Sequence, residues 1–476
     1  MRQTVVYRAL TSSTVASWLS MAARGLAPLA VLPLVVSKFD APSIAAWYLF
    51  ITITGLQLLA DLGFGTVFGR MFAYGLGGVG SIHDLDGKSP VSREPNIQPN
   101  TDVLRDTFAT MKVVYMRVTI GWLFALIFFG TPSLVKTAAQ AQAAEDVWVA
   151  WAVIVIASSY RMYGAQYQNY LVGTDQIALL KRWDTIYAIG TVLANITALL
   201  IGWGIIGLAV TTGVLTIFNV LHNRLLAKRH RVNGELICNG GTYRREIFMV
   251  VWPAAWRSAI GIAMSAGLVQ ITGIAYAQFG AVDDVSAYLV ALTLMRYINL
   301  FSQVPFYTKL PHLGRSWAQG ELAGGVELAK RGMSQSYWSL VLAIVGVGVI
   351  APRAFNLLES DVGFVSHWLW VLMGLASFFE RYGALHIQFY SITNHIIWHV
   401  ANGVSGLIYV VVAALLFGVV DVYAFPIGQI VGALSFYAWY SAKHSYRRFG
   451  MRFLDFERST TLAPLLTYSI YVWFVC

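Results

Sequence analysis

Residues 251–279 read VWPAAWRSAIGIAMSAGLVQITGIAYAQF, an apolar run interrupted by a single charge, Arg257. About 20 such residues span the hydrocarbon of a bilayer as a helix. The run is therefore a membrane span that carries a guanidinium. An arginine at the bilayer centre costs about 2.5–3.5 kcal/mol even on a lenient insertion scale, so it must face water, a partner or a ligand. The pattern recurs: Arg24, Arg70, Arg117, Arg161, Arg296 and Arg381 also sit in or beside apolar segments. Only Asp61, Asp184 and Glu380 are acids in comparable places. Such an excess of cations implies an anionic partner from outside the chain.

The whole composition fits a membrane. Of 476 residues 57% are hydrophobic and 12% charged, against about 25% charged in soluble globular chains. Twelve spans are expected at about 11–37, 42–76, 108–134, 147–171, 183–202, 204–226, 247–278, 284–308, 334–352, 363–390, 396–419 and 423–442. A thirteenth apolar piece, 461–476, is short and carries Pro464. The run after Arg8 is too long for a signal peptide and reads as the first span. With the N-terminus in the cytoplasm, the inner loops and tails hold 23 of the 33 lysines and arginines, and the outer loops only Lys38, Lys136 and Arg353. That asymmetry sets the orientation, and it accounts for the net charge of +10 without nucleic acid. Loop 77–107 is rich in Gly, Pro, Asn and Asp, and 309–333 reads as an amphipathic surface helix.

The chain also repeats at half its length. Residues 38–50, KFDAPSIAAWYLF, align without gaps on 278–290, QFGAVDDVSAYLV, pairing the first outer turn with the fourth. This gives a bundle over 1–226, a basic linker over 227–246, a second bundle over 247–442, and a basic tail with the short apolar segment over 443–476. Paired halves are common in transporters.

Depth follows from the rise of a helix. Arg24, Arg257 and Arg296 fall near the midplane, and Arg161 in the inner half on a face with Gly164 and Gln168, beside Tyr160, Tyr163, Tyr167 and Tyr170. Arg117 is five residues beyond Lys112 and is expected to snorkel to the inner surface. Asp61 reads as a structural partner of Arg70. Glu380 and Arg381 are sequence neighbours pointing different ways, and with Asp61 and Arg70 they are the candidates for coupling or gating. Pro253 is a candidate kink in the seventh span. A guanidinium grips phosphate oxygens in a bidentate fork. All seven intramembrane cations being arginine favours a phosphate-bearing ligand. No Walker A, GxSxG or HExxH motif occurs, and Cys238 and Cys476 are too few for a disulfide framework. No cofactor or metal is expected, and the driving force is expected to be an ion gradient, the membrane potential or the substrate's own gradient.

LLADLGFGTVFGR at 58–70 and VWPAAWRSAIG at 251–261, with the length and the 6+6 plan, resemble the polysaccharide-exporter branch of the multidrug/oligosaccharidyl-lipid/polysaccharide (MOP) exporter superfamily. The resemblance implies an all-α polytopic membrane protein, two six-helix bundles forming a V around a central cationic cavity. It implies a non-enzymatic flippase of the bacterial inner membrane carrying polyprenyl-pyrophosphate-linked oligosaccharide by alternating access. Arg24, Arg161, Arg257 and Arg296 would bind the substrate headgroup. Its partners would be that lipid-linked oligosaccharide, membrane lipids, and the polysaccharide polymerase and chain-length machinery. The alternatives are a multidrug exporter of the same superfamily, which wants an acidic or neutral cavity, and a membrane glycosyltransferase or polymerase, which wants a catalytic loop or domain that this chain lacks.

The orientation is directly testable. In a cysteine-free background, an impermeant thiol reagent added outside should label Val282→Cys and leave Glu235→Cys unmodified; the opposite pattern overturns every depth given above.

Overall fold

The computed structural model describes residues 20, 23, 30–76, 98–318, 322–393, 395 and 397–475. Within these, the side chains of Arg257 and a few other helical residues fall outside the description, as do Arg24 and most of loop 77–107. The protein is an all-α, multi-pass membrane fold. Eight of the described helical segments are long and apolar enough to cross a bilayer. Contacts divide the chain into two compact units, one holding Phe50–Ala259 and the residues up to Lys38, the other Phe39–Leu49 and the residues from Ile260 onward. The division falls after Ala259, inside the helix that carries Arg257, whereas the sequence places a linker over 227–246.

In the first unit, α1 (Ala41–Gly55) leads through α2 (Gln57–Ala60) and a turn to α3 (Phe64–Leu76). The expected single span over 42–76 is thus broken. Its turn holds Leu62 and Gly63 at φ of 51° and 70°, a left-handed pair that helical geometry cannot continue. A long helix follows, α4 (Thr101–Ala125), a π-helical turn at Leu126–Gly130 and α5 (Thr131–Gln140). The Asn100 side chain caps its start, accepting from Val103 N at 3.2 Å. Then come α6 (Ala144–Gly173), α7 (Ile177–Leu200) and α8 (Gly204–Arg229). Helices α6 and α8 meet where Gly164 lies against Val220, so closely that a Cβ would come within 2.4 Å of its Cγ1. Gly164 therefore serves the packing of α6 on α8.

The basic linker is folded. Strands β1 (Arg231–Val232) and β2 (Glu235–Leu236) pair antiparallel around Asn233-Gly234, both at positive φ, as a two-residue hairpin requires. The hairpin and the segment after it dock on the start of α4. Arg105 pairs with Glu235 at 2.9 Å and Arg244 with Asp106 at 2.9 Å, while Thr242 N donates to Asp106 at 2.8 Å. Gly241 lies against the Arg105 carbonyl where a Cβ would sit 2.1 Å away. Arg117 joins this region, its guanidinium 5.9 Å from the Tyr243 ring centroid.

The second unit begins within α9 (Arg245–Ile262), which continues through a π-helical turn at Ala263–Gly267 into α10 (Leu268–Phe279). Next are α11 (Val282–Ser302), the short α12 (Val304–Tyr307) and α13 (Leu310–Ala318). The surface helix expected over 309–333 ends early, and residues from Leu322 run straight into α14 (Leu322–Leu357). The two repeated turns meet inside this unit, where Ser286 Oγ donates to the Ala41 carbonyl at 2.7 Å. The chain goes on through α15 (His367–Ser391), α16 (Trp398–Val420) and α17 (Ala424–Gly432), a π-helical turn at Ala433–Tyr437, and α18 (Ala438–Phe449). Gly450 at φ 61° stops α18, and α19 (Phe453–Thr460) and α20 (Leu462–Val475) follow.

The thirteenth apolar segment is thus helical, and it is fixed to the second unit. Tyr468 Oη donates to the Val371 carbonyl at 2.6 Å, and Tyr471 Oη occupies a notch at Gly348 where a Cβ would approach within 2.0 Å. Replacing Gly348 with Val should cost about 1–3 kcal/mol by overpacking, read as a lowered melting temperature in detergent. Adding Tyr471→Phe should recover part of the loss, and additive losses would refute the notch.

Candidate functional site

Glu380 lies on α15 and points into a small cavity of the second unit. Gln429 Nε2 donates to its Oε2 at 2.9 Å. The cavity, of about 50 Å³, is also lined by Met264, Asn402, Ser405, Tyr409 and Tyr437. That space suits a few waters or an ion, and is far below the roughly 300–1,000 Å³ of small-molecule sites. The oxygens converging there suit a proton or a hard cation. Two π-helical turns contribute to the walls, through Met264 and through Ala433 and Tyr437. A π turn is a frequent mark of a functional site. Helix α16 runs between them at backbone contact. A Cβ on Gly406 would lie 2.8 Å from the Met264 carbonyl, and one on Gly432 2.5 Å from that of Ser405.

Arg381 turns the other way. It is buried, and its Nη2 donates to the carbonyl and, at 3.3 Å, to the side-chain oxygen of Asn299 on α11. Asn299 in turn donates to Ser377 at 3.1 Å. The arginine is a carbonyl clamp between α11 and α15, and it makes no ion pair with Glu380. Arg296, one turn earlier on α11, is exposed, with its guanidinium 6.0 Å from the Tyr297 ring centroid.

In the first unit, Asp61 sits in the break between α2 and α3. Its Oδ2 accepts from Gly65 N at 3.2 Å, in the first turn of α3, where the helix dipole favours a carboxylate. Its Oδ1 accepts from Tyr115 Oη at 2.5 Å, and that oxygen accepts from Asn169 Nδ2 at 2.7 Å. The expected Asp61–Arg70 pair does not form; Arg70 is exposed on α3. Nine residues separate the two across a turn, so no common helix face brings them together. Arg161 donates through Nε to Gln57 Oε1 at 2.7 Å, one turn before Asp61. Tyr167 and Tyr170 are buried against Phe108 and Phe72, as core rather than cavity lining.

Of the four headgroup candidates, the structure places Arg161 in the first unit and Arg296 in the second. Arg24 and the Arg257 side chain lie outside the described residues. Sequence reasoning missed the neutral partners Tyr115, Asn169, Gln429 and Asn299, whose only signal was an amide or phenol inside an apolar helix.

No protein-family model and no curated protein matches the chain, but solved structures do. An inward-facing MATE multidrug-resistance transporter of the MOP superfamily aligns with 91% of this chain and 98% of its own at TM-score 0.66 and 10% identity. An outward-facing conformation of a MATE transporter of that superfamily gives 0.62 at 13% identity over 93% and 95%. The lipid II flippase MurJ, inward closed, gives 0.54 at 11% over 97% of each chain. At these identities the likeness is one of fold.

Tyr115→Phe should destabilise the protein by about 1–3 kcal/mol, because it strips a donor from a half-buried carboxylate. The drop should vanish in an Asp61→Asn background, a double-mutant comparison by thermal melts.

Proposed function

We propose that this chain is a transporter of the bacterial inner membrane that moves a polyprenyl-pyrophosphate-linked oligosaccharide outward, with its N-terminus in the cytoplasm. The observation that carries this reading is the excess of arginines deep in the apolar segments, Arg24, Arg161, Arg257 and Arg296, over acids in comparable places. A pyrophosphate answers both their charge and their fork geometry. Arg24, Arg161, Arg257 and Arg296 are the headgroup contacts. The likeness in fold to a lipid II flippase supports a lipid-linked substrate. In this reading Glu380 is the coupling group. It is a carboxylate in a cavity sized for a proton or small cation, on a helix pinned to α11 by Arg381.

The stronger likeness in fold to MATE multidrug transporters favours a second reading, export of a small organic molecule. The arginine excess argues against an organic cation as that molecule.

Two assays separate the readings. Arg24→Ala or Arg257→Ala should abolish glycan export in cells while expression persists, with lysine restoring it only in part; full export by the double alanine variant refutes the anion-binding role. In proteoliposomes holding an undecaprenyl-pyrophosphate-linked oligosaccharide, an imposed pH gradient should drive flipping by the wild type and not by Glu380→Gln. Equal responses remove Glu380 as the coupling group, and efflux of an organic dye without flipping favours the multidrug reading.

A further inference from the structure

The segment between the last two apolar stretches carries a basic face that the rest of the molecule leaves uncovered. The apolar span that ends in α18 gives way to AKHSYRRF, and α20 begins at Leu462 with no charge in its 14 residues. Between the two stretches lie Lys443, Arg447, Arg448, Arg452 and Arg458, with Asp455 and Glu457 as the acids. Apolar helices on either side hold this charged segment at a bilayer surface. The Lys443 ammonium, 5.6 Å from the centroid of the exposed Trp439 ring, marks the same boundary.

Glu457 does not neutralise the arginines. It accepts from Tyr382 Oη at 3.0 Å and from the hydroxyls of Tyr446 and Thr461. Arg447, Arg448, Arg452 and Arg458 are all exposed. Among the described residues none of the four makes an ion pair, and Arg448 lies over the Trp317 ring, 4.8 Å from its centroid.

Two large apolar side chains stand among these cations. Helix α19 docks through the buried Phe456 and Thr460, whereas Phe453 and Leu454 are 57% and 78% exposed. Topology accounts for basic residues in a loop, but not for an exposed phenylalanine and leucine between them. Leu454 and Arg458, four residues apart, share one face of α19. A single ligand must therefore answer an apolar and a cationic side chain together. A phospholipid does so, its acyl boundary taking the apolar groups and its phosphodiester oxygens the guanidinium forks. A free phosphate answers only the second.

We propose that α19 lies in the headgroup layer and, with the end of α18, binds anionic phospholipid. Phe453 and Leu454 enter the acyl boundary, and Arg447, Arg448, Arg452 and Arg458 hold the phosphates. The site stands whatever the protein transports.

The test titrates the full chain in neutral detergent with phosphatidylglycerol or phosphatidylcholine, read by native mass spectrometry. The wild type should bind phosphatidylglycerol more tightly. Replacing the four arginines with Gln one at a time should weaken that binding about fivefold each, with phosphatidylcholine unaffected. Inorganic phosphate, at an ionic strength matched with chloride, should displace no lipid. Equal affinity of the wild type for the two lipids overturns the proposal. So does a quadruple Gln variant that binds as much phosphatidylglycerol as the wild type, or displacement by phosphate. A nitroxide on Leu454→Cys, in a cysteine-free background, checks the depth in bilayers containing phosphatidylglycerol. Oxygen should reach it in preference to a water-soluble nickel chelate, and the reverse order also overturns the proposal.

Discussion

A charge taken out of water must be met where it sits, by another charge, by hydrogen bonds or by a ligand, and the polar architecture of this protein follows from that demand. What distinguishes the fold is that neutral groups mostly meet it. Asp61 is held by a phenol and a backbone amide, Glu380 by a carboxamide, and Arg381 by a peptide carbonyl and a carboxamide. Such partners satisfy hydrogen bonds without cancelling charge. The field of each group therefore persists beyond its own contacts, which is what a site for an anion or for a proton needs. Direct ion pairs concentrate elsewhere, notably where the folded linker grips the start of α4.

Much of the fold was legible because hydrophobic length is a coarse signal that survives without tertiary information. The broken second span was not. LADLGFG reads as apolar, and the left-handed backbone at Leu62 and Gly63 emerges only once Asp61 is seen capping the following helix. The linker was expected only as a basic connection, whereas Glu235 and the nearby Asp106 supply the counterparts that fold it.

Site residues divided along the same line. That Glu380 and Arg381 diverge follows from adjacent positions on a helix, and the structure gives each its own surroundings. Nothing in one sequence says that Gln429 reaches Glu380, or that Asn299 reaches Arg381, because those contacts join helices far apart in the chain. Glu457 was hidden in the same way: within a basic tail it looks solvated, and only the fold brings it within 3.4 Å of His386.

The assignment of Phe39–Leu49 to the second unit has a consequence for inheritance of the fold. The chain leaves its first unit after Lys38, lends the start of α1 to the second, and returns at Phe50 before leaving again after Ala259. Ala45, Ala46 and Leu49 are completely buried in that borrowed turn of helix. A gene fragment encoding only the first half would expose them, and one encoding only the second would lack part of its own interior. The halves that the internal repeat suggests are thus no longer interchangeable modules. They are interlaced, so that neither is a folding unit without a segment of the other.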